Sequence, residues 1–216
     1  SIDEDDGFAG VPYELFIFPG ILTMTVLFQS VFYGLYIVWD RKIDFLKEVL
    51  AAPLNRSTVF LGKCLGGVTD SMIQVTIIIV LGLFIFPEIN YTLQSIMLVY
   101  LYLFLLAIIM TSLGLIIGSQ MDSPEGFSLI TSLVVFPMYF LSGALFLKKN
   151  LIEEAPIIYW LTAINPASYA VDAIRYTMIP EDIFLEFGLA RDFTVLIGFC
   201  IFLLALGTQC FKTMRL

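Results

Sequence analysis

The densest chemistry in this chain is a charged break between two long apolar runs. Asp40-Arg41-Lys42-Ile43-Asp44-Phe45-Leu46-Lys47-Glu48 sets three acids against three bases, and Val49-Leu50-Ala51-Ala52-Pro53-Leu54-Asn55-Arg56 and later Gly62-Lys63 follow. Charges this dense do not sit in hydrocarbon. Phe45, Leu46, Val49, Leu50 and Ala52 fall on one stripe of a helix, with Arg41, Lys42, Asp44, Lys47 and Glu48 on the polar face. Pro53 ends that helix. A short amphipathic helix at a membrane face either lies in the headgroups or docks into a soluble partner. The balanced charge argues against an anionic-lipid anchor, which favours basic faces.

The remaining polar residues offer little catalysis. There is no His, which removes His acid–base chemistry and His metal sites. Cys64, Cys200 and Cys210 form no C-x-x-C pair and lie in or beside apolar runs. Gly62-Lys63 lacks the upstream Gly and the following Ser or Thr of a phosphate loop, so the chain is not expected to hydrolyse ATP. No catalytic residue, bound cofactor, metal site or nucleic-acid partner is expected. Asp172 and Arg175, spaced i,i+3, form either a structural pair or a gate element. Asp70, Gln74 and Gln29 are polar groups within apolar runs, read as functional candidates or as interhelical hydrogen bonders. Gly62-x-x-x-Gly66 and Gly114-x-x-x-Gly118 allow close helix approach. The Tyr and Phe residues either line a path or face lipid.

The elements that must position these residues are membrane spans. Hydrophobic residues make up 59% of the 216 and charged residues 14%, against about 25% charged in soluble domains. Five spans are expected: Leu15 to Trp39, Gly67 to Phe86, Leu93 to Gly118, Gly126 to Leu147 and Phe193 to Phe211. Pro137 predicts a kink in the fourth. Arg41, Lys42, Lys47, Arg56 and Lys63, with Lys212 and Arg215 in the tail, put loop 40–63 and the C-terminus in the cytoplasm. The acidic segment 1–14, without Lys or Arg, reads as external; it lacks signal-peptide character and looks like a piece that has lost what preceded it. In region 148–191, Asn165-Pro166 and the charges of Asp172 and Arg175 interrupt a span-length run. Two short outer helices, Ala155 to Ile164 and Ala167 to Met178, are expected to dip into or lie on the outer leaflet.

The charged loop resembles the cytoplasmic coupling region of ABC-2-type exporter permeases, most closely the daunorubicin-resistance and nodulation-export branch. That branch reads D-R-E-x-G-F-L-K-E-x-L-x-A-P-x-S-R, then G-K-x-x-G-G. Here the matching residues are Asp40 to Glu48, Ala52 to Arg56 and Gly62-Lys63-Cys64-Leu65-Gly66-Gly67. A second block covers Met121-Asp122, Glu125-Gly126-Phe127, Phe136-Pro137 and Leu141-Ser142-Gly143-Ala144-Leu145-Phe146. A third is Asn165-Pro166-Ala167-Ser168-Tyr169-Ala170-Val171-Asp172-Ala173-Ile174-Arg175. Lys42 stands where an acid is usual, Asp44 where Gly is common and Leu147 where Pro is frequent.

The resemblance implies an all-α, polytopic six-span fold of which the first cytoplasmic helix and first span are missing, leaving one transmembrane domain over 1–216. It implies two permease chains, as homodimer or close heterodimer, each served by a separate ABC ATPase subunit that supplies ATP and Mg. Asp40, Arg41, Lys42, Asp44, Phe45, Leu46, Lys47, Glu48, Pro53 and Arg56 would couple to that ATPase. Asn165, Pro166, Tyr169, Asp172 and Arg175 would gate the outer side. The expected function is export of an amphipathic, lipid-linked or drug-like substrate across the cell membrane. A scaffold or sensor that recruits a soluble partner through the same helix is the alternative. An ion-driven transporter is disfavoured by the lack of mid-membrane acid pairs and paired broken spans.

Overall fold

The computed structural model describes residues 11–51, 55–145, 156–179 and 187–213. Among them the chain is all-α, with nine helices. α1 (Tyr13–Phe32) and α2 (Leu35–Lys42) run nearly as one element, because Tyr33 and Gly34 keep helical dihedrals. Bonds from Gly34, Tyr36 and Ile37 amides to carbonyls three residues back tighten the junction. Together α1 and α2 span 30 residues, α4 (Arg56–Ile85) 30, α5 (Leu93–Gln120) 28 and α9 (Leu189–Thr213) 25, and all four are long and apolar enough to cross a bilayer.

The expected fourth span differs. α6 (Pro124–Phe140) has 17 residues, about 25 Å at ~1.5 Å per residue. Pro137 removes one helical donor near its end. Leu141 to Leu145 then turn, with Gly143 in the left-handed region at φ 78°. Thr92, Ser123 and Asn165 cap α5, α6 and α8 (Pro166–Met178) through their side chains. Pro124 and Pro166 sit in the first helical turns, where no donor is lost.

Close backbone approach fixes the centre of the bundle. A Cβ on Gly114 would fall on the Val31 carbonyl, one on Gly34 on the Gly114 carbonyl, and one on Gly118 on the Gly34 carbonyl. The second small-residue motif is therefore used within the chain, between α5 and the α1–α2 junction. By contrast, nothing lies near Gly62, and Gly66 faces the Tyr33 hydroxyl. Phe60 against Phe211, 5.1 Å apart, closes one end of the bundle. The Asn90 amide donating to the Met178 carbonyl at 3.0 Å, and the Tyr102 hydroxyl donating to the Leu189 carbonyl at 3.1 Å, close the other.

The two short outer helices form as expected, α7 as Pro156–Ile164 and α8 as 166–178. Only α7 has a membrane-facing character, exposing Ile158, Trp160, Leu161 and Ile164. α8 is not on the surface. It is buried between α1, α5 and α9, because Ala167, Ala170 and Ala173 are small enough to admit it and its polar groups find partners inside.

Candidate coupling face and outer lock

The charged break is not one helix. α2 carries Asp40, Arg41 and Lys42 as the end of a membrane helix, and α3 (Phe45–Ala51) is a separate helix of about two turns. Between them Asp44 adopts φ 58°, left-handed, where a residue with a Cβ costs about 1 kcal/mol over glycine. The position where the family favours Gly is thus a backbone requirement that this chain meets with Asp. The coupling region also ends earlier than expected, because α4 begins at Arg56 and Lys63 lies two turns inside it. Pro53 lies outside the described residues.

The first of these residues are anchors rather than free contacts. Arg41 donates from Nη2 to the Ser119 carbonyl at 2.7 Å and from Nη1 to the Met121 carbonyl at 3.3 Å and Asp122 Oδ1 at 3.2 Å. A guanidinium at the C-terminus of α5 satisfies end carbonyls and complements the helix dipole. Asp40 pairs with Lys63 of α4. Arg56 donates to the Lys212 carbonyl at 3.4 Å, tying α4 to the end of α9. Leu46 is buried and seats α3. What faces outward is Lys42, Ile43 at 69% exposure, Asp44, Phe45 at 45% and Glu48. The helical stripe read from the sequence is therefore split, with Leu46 inward and Phe45 outward.

At the opposite end the gate candidates meet. Asn165 donates to the Met138 carbonyl at 2.6 Å while its Oδ1 accepts the Ala167 amide. Ser168 donates to the Leu141 carbonyl at 3.4 Å. Arg175, 2% exposed, donates from Nη2 to the carbonyls of Gly143 at 2.9 Å and Ala144 at 3.1 Å and lies 3.8 Å over the Phe16 ring. These groups satisfy carbonyls at the C-terminal end of α6 and in the Gly143 turn that follows it. Asp172 Oδ2 accepts the Phe187 amide at 2.9 Å, and Tyr169 donates to the Ala163 carbonyl at 2.5 Å with its ring 4.8 Å from Phe187. Pro166 starts α8 inside this lock and is buried. Asp192, unremarked in the sequence beyond its place at the head of the last span, is fully buried close to Tyr102. In the connection between α4 and α5, burial pushes the Tyr91 hydroxyl above its ordinary value.

The three sequence blocks therefore dock on one another: the first on the second through Arg41 and Asp122, the second on the third through Gly143, Ala144 and Arg175. Among the described residues no group of three His, Cys, Asp or Glu converges on a common point.

Comparison with known proteins gives the family. The ABC-2 type transporter family matches residues 5–179. The transport permease ycf38 of Cyanophora paradoxa is 30% identical over 171 residues, 76% of this chain and 56% of its own length. The inner membrane transport permease YadH of Escherichia coli is 26% identical over 198 residues, 89% of this chain and 72% of its own. Nodulation protein J of Neorhizobium galegae is 25% identical over 185 residues, covering 83% and 68%. The chain belongs to the ABC-2 type transporter family. It is a multi-pass membrane protein and a non-catalytic permease subunit. It spans about half the length of the ycf38 relatives it matches.

Proposed function

We propose that this chain is the permease of an ATP-driven exporter of the daunorubicin-resistance and nodulation-export branch, moving an amphipathic, lipid-linked or drug-like substrate outward. It sits in the cell membrane with loop 40–63 and the C-terminus cytoplasmic, and α6 serves as a short fifth crossing. It pairs with a second permease chain, identical or closely related, and with a separate ABC ATPase that holds ATP and Mg. The observation that carries this reading is the mounting of α3. A short exposed helix is joined through left-handed Asp44 to a span end whose Asp40 and Arg41 grip α4 and α5. Displacement of α3 by an ATPase is thereby passed to three membrane helices at once. Energy is transmitted only if the ATPase contacts α3 differently in its two nucleotide states.

Glu48 is exposed and outside the internal anchors, which makes it the cleaner test, since Leu46 is a core residue. Glu48→Arg is expected to lower substrate-stimulated ATPase activity of the reconstituted complex by about tenfold or more, a loss of ~1.4 kcal/mol in coupling. Membrane insertion and thermal stability should be unchanged. Full retention of stimulated activity would remove α3 from the coupling path and favour the scaffold alternative.

A further inference from the structure

Three polar side chains near the middle of the long helices share one edge of the bundle. Asp70 and Gln74 are the fifteenth and nineteenth of the 30 residues of α4, and Gln29 is the seventeenth of the 30 in α1 and α2. All three are half-buried, and among the described residues their side chains make no hydrogen bond or ion pair. Acyl chains offer neither donor nor acceptor, so polar groups at this depth need a partner made of protein.

Contacts along the seam between α1–α2 and α4 orient these groups. Phe18 faces Gly82, the Ser30 and Ser71 hydroxyls bond at 2.7 Å, Tyr33 lies over Gly67, and Asp40 pairs with Lys63. Rising numbers meet falling ones, so the two helices are antiparallel. Gln29 precedes Ser30, and Asp70 precedes Ser71. In antiparallel helices one step of about 100° back from a contact pair turns both residues to the same side of the seam. Their depths differ by only about 3 Å, one residue each way at ~1.5 Å. Gln74, one turn beyond Asp70, follows on that side. Among the described residues this side is uncovered. A groove of about 330 Å³ runs along it with Gln29, Tyr33 and Tyr36 in its lining, and Tyr36 and Ile77 are 54% and 55% exposed.

A second copy of this chain supplies what the edge lacks. A carboxylate only accepts hydrogen bonds, and a primary amide donates two. A two-fold axis along the membrane normal keeps each residue at its own depth in both copies. Passing beside the seam, it sets α4 of each copy against α1 of the other. Gln29 of each chain then meets Asp70 of the other, with Gln74 one turn away. We propose that the Gln29–Asp70 edge is the surface on which two copies of this chain pair, each Asp70 accepting from the Gln29 amide of the other copy. Hydrogen bonds of this kind favour helix association in a bilayer. The inference rests on the exporter reading, in which two permease chains pair, and names where they meet.

Two measurements on the full chain test it. In the first, Gln29→Cys in one copy and Asp70→Cys in a differently tagged copy, both with Cys210→Ser, are co-expressed and oxidised in native membranes. Cys64 and Cys200 are buried and stay silent. A disulfide-linked pair carrying both tags is expected, with little product from either variant alone. No mixed pair, or equal linking of each variant to itself, would overturn the proposal. In the second, the monomer–dimer equilibrium of labelled chains in liposomes is read by stepwise photobleaching across protein densities. Gln29→Glu sets acid against acid and is expected to weaken pairing about tenfold or more. Adding Asp70→Asn exchanges the two chemistries and should restore it. An unaffected Gln29→Glu protein, or a double variant as weak as the single one, would contradict the contact. Neither measurement uses nucleotide, so both are independent of the Glu48→Arg outcome. Pairing without the mixed disulfide would overturn this surface and leave the exporter reading standing. Chains that stay single at every density would overturn both.

Discussion

Arg175→Ala is expected to destabilise the purified protein by about 3–5 kcal/mol, the range for removing one member of a buried charge network. The guanidinium is 2% exposed and donates to the Gly143 and Ala144 carbonyls at the turn that follows α6. Its loss takes that donor from both carbonyls and removes the cover of the Phe16 ring, one turn from the buried Asp172. Arg175→Lys should recover only part of the loss. A lysine restores the charge but not the planar fork that spans two carbonyls. The measurement is thermal unfolding in mild detergent, where ~3–5 kcal/mol corresponds to a drop in Tm of about 10 °C for a chain of this size. An Arg175→Ala protein with unchanged Tm would mean that α8 is held by packing alone and that the outer lock is not a lock.

The second large effect comes from a pair of substitutions that are alike on paper. Gly114→Ala should strongly reduce the yield of folded protein, while Gly62→Ala should be silent or mildly stabilising. Both residues open a small-x-x-x-small motif. A Cβ at position 114 meets backbone, the Val31 carbonyl, which cannot rotate away, so α1 and α5 must separate. Overpacking of this kind costs about 1–3 kcal/mol and more when backbone must move. At position 62 nothing lies within 4 Å, and alanine gains about 0.5–1 kcal/mol of helix preference over glycine. Size-exclusion profiles and Tm of the two variants decide it. Equal behaviour would contradict the α1–α5 packing.

Those two motifs mark the limit of what the sequence conveys. Residue spacing shows that two helices can come close, but not which neighbour they meet. Helix boundaries were legible where apolar runs begin at capping residues, as at Thr92 and Asn165. They were misread where a polar stretch is still helical. Arg56 to Lys63 continue α4 because Lys63 has Asp40 to face and Arg56 reaches the end of α9. The break at Asp44 has no local signal beyond an Asp in place of the family's Gly, since Asp tolerates the left-handed region without announcing it. α8 reads as a surface helix because it carries Asp172 and Arg175. It is buried because those charges are satisfied by a turn more than 25 residues earlier and by the amide of Phe187, contacts that periodicity does not encode. Arg41 illustrates the same point. Its sequence context suggests a docking charge, and its geometry makes it the cap of α5.

The measurement that bears most directly on the coupling role of α3 is nucleotide-dependent cross-linking from its exposed flank. Ile43→Cys, in a Cys210→Ser background that leaves only the buried Cys64 and Cys200, places a reactive thiol beside α3. In native membranes the expected product is a single adduct with a soluble nucleotide-binding subunit, its yield changing when a non-hydrolysable ATP analogue is added. An adduct with a protein that has no nucleotide site, or a yield indifferent to the analogue, would contradict α3 as the coupling element.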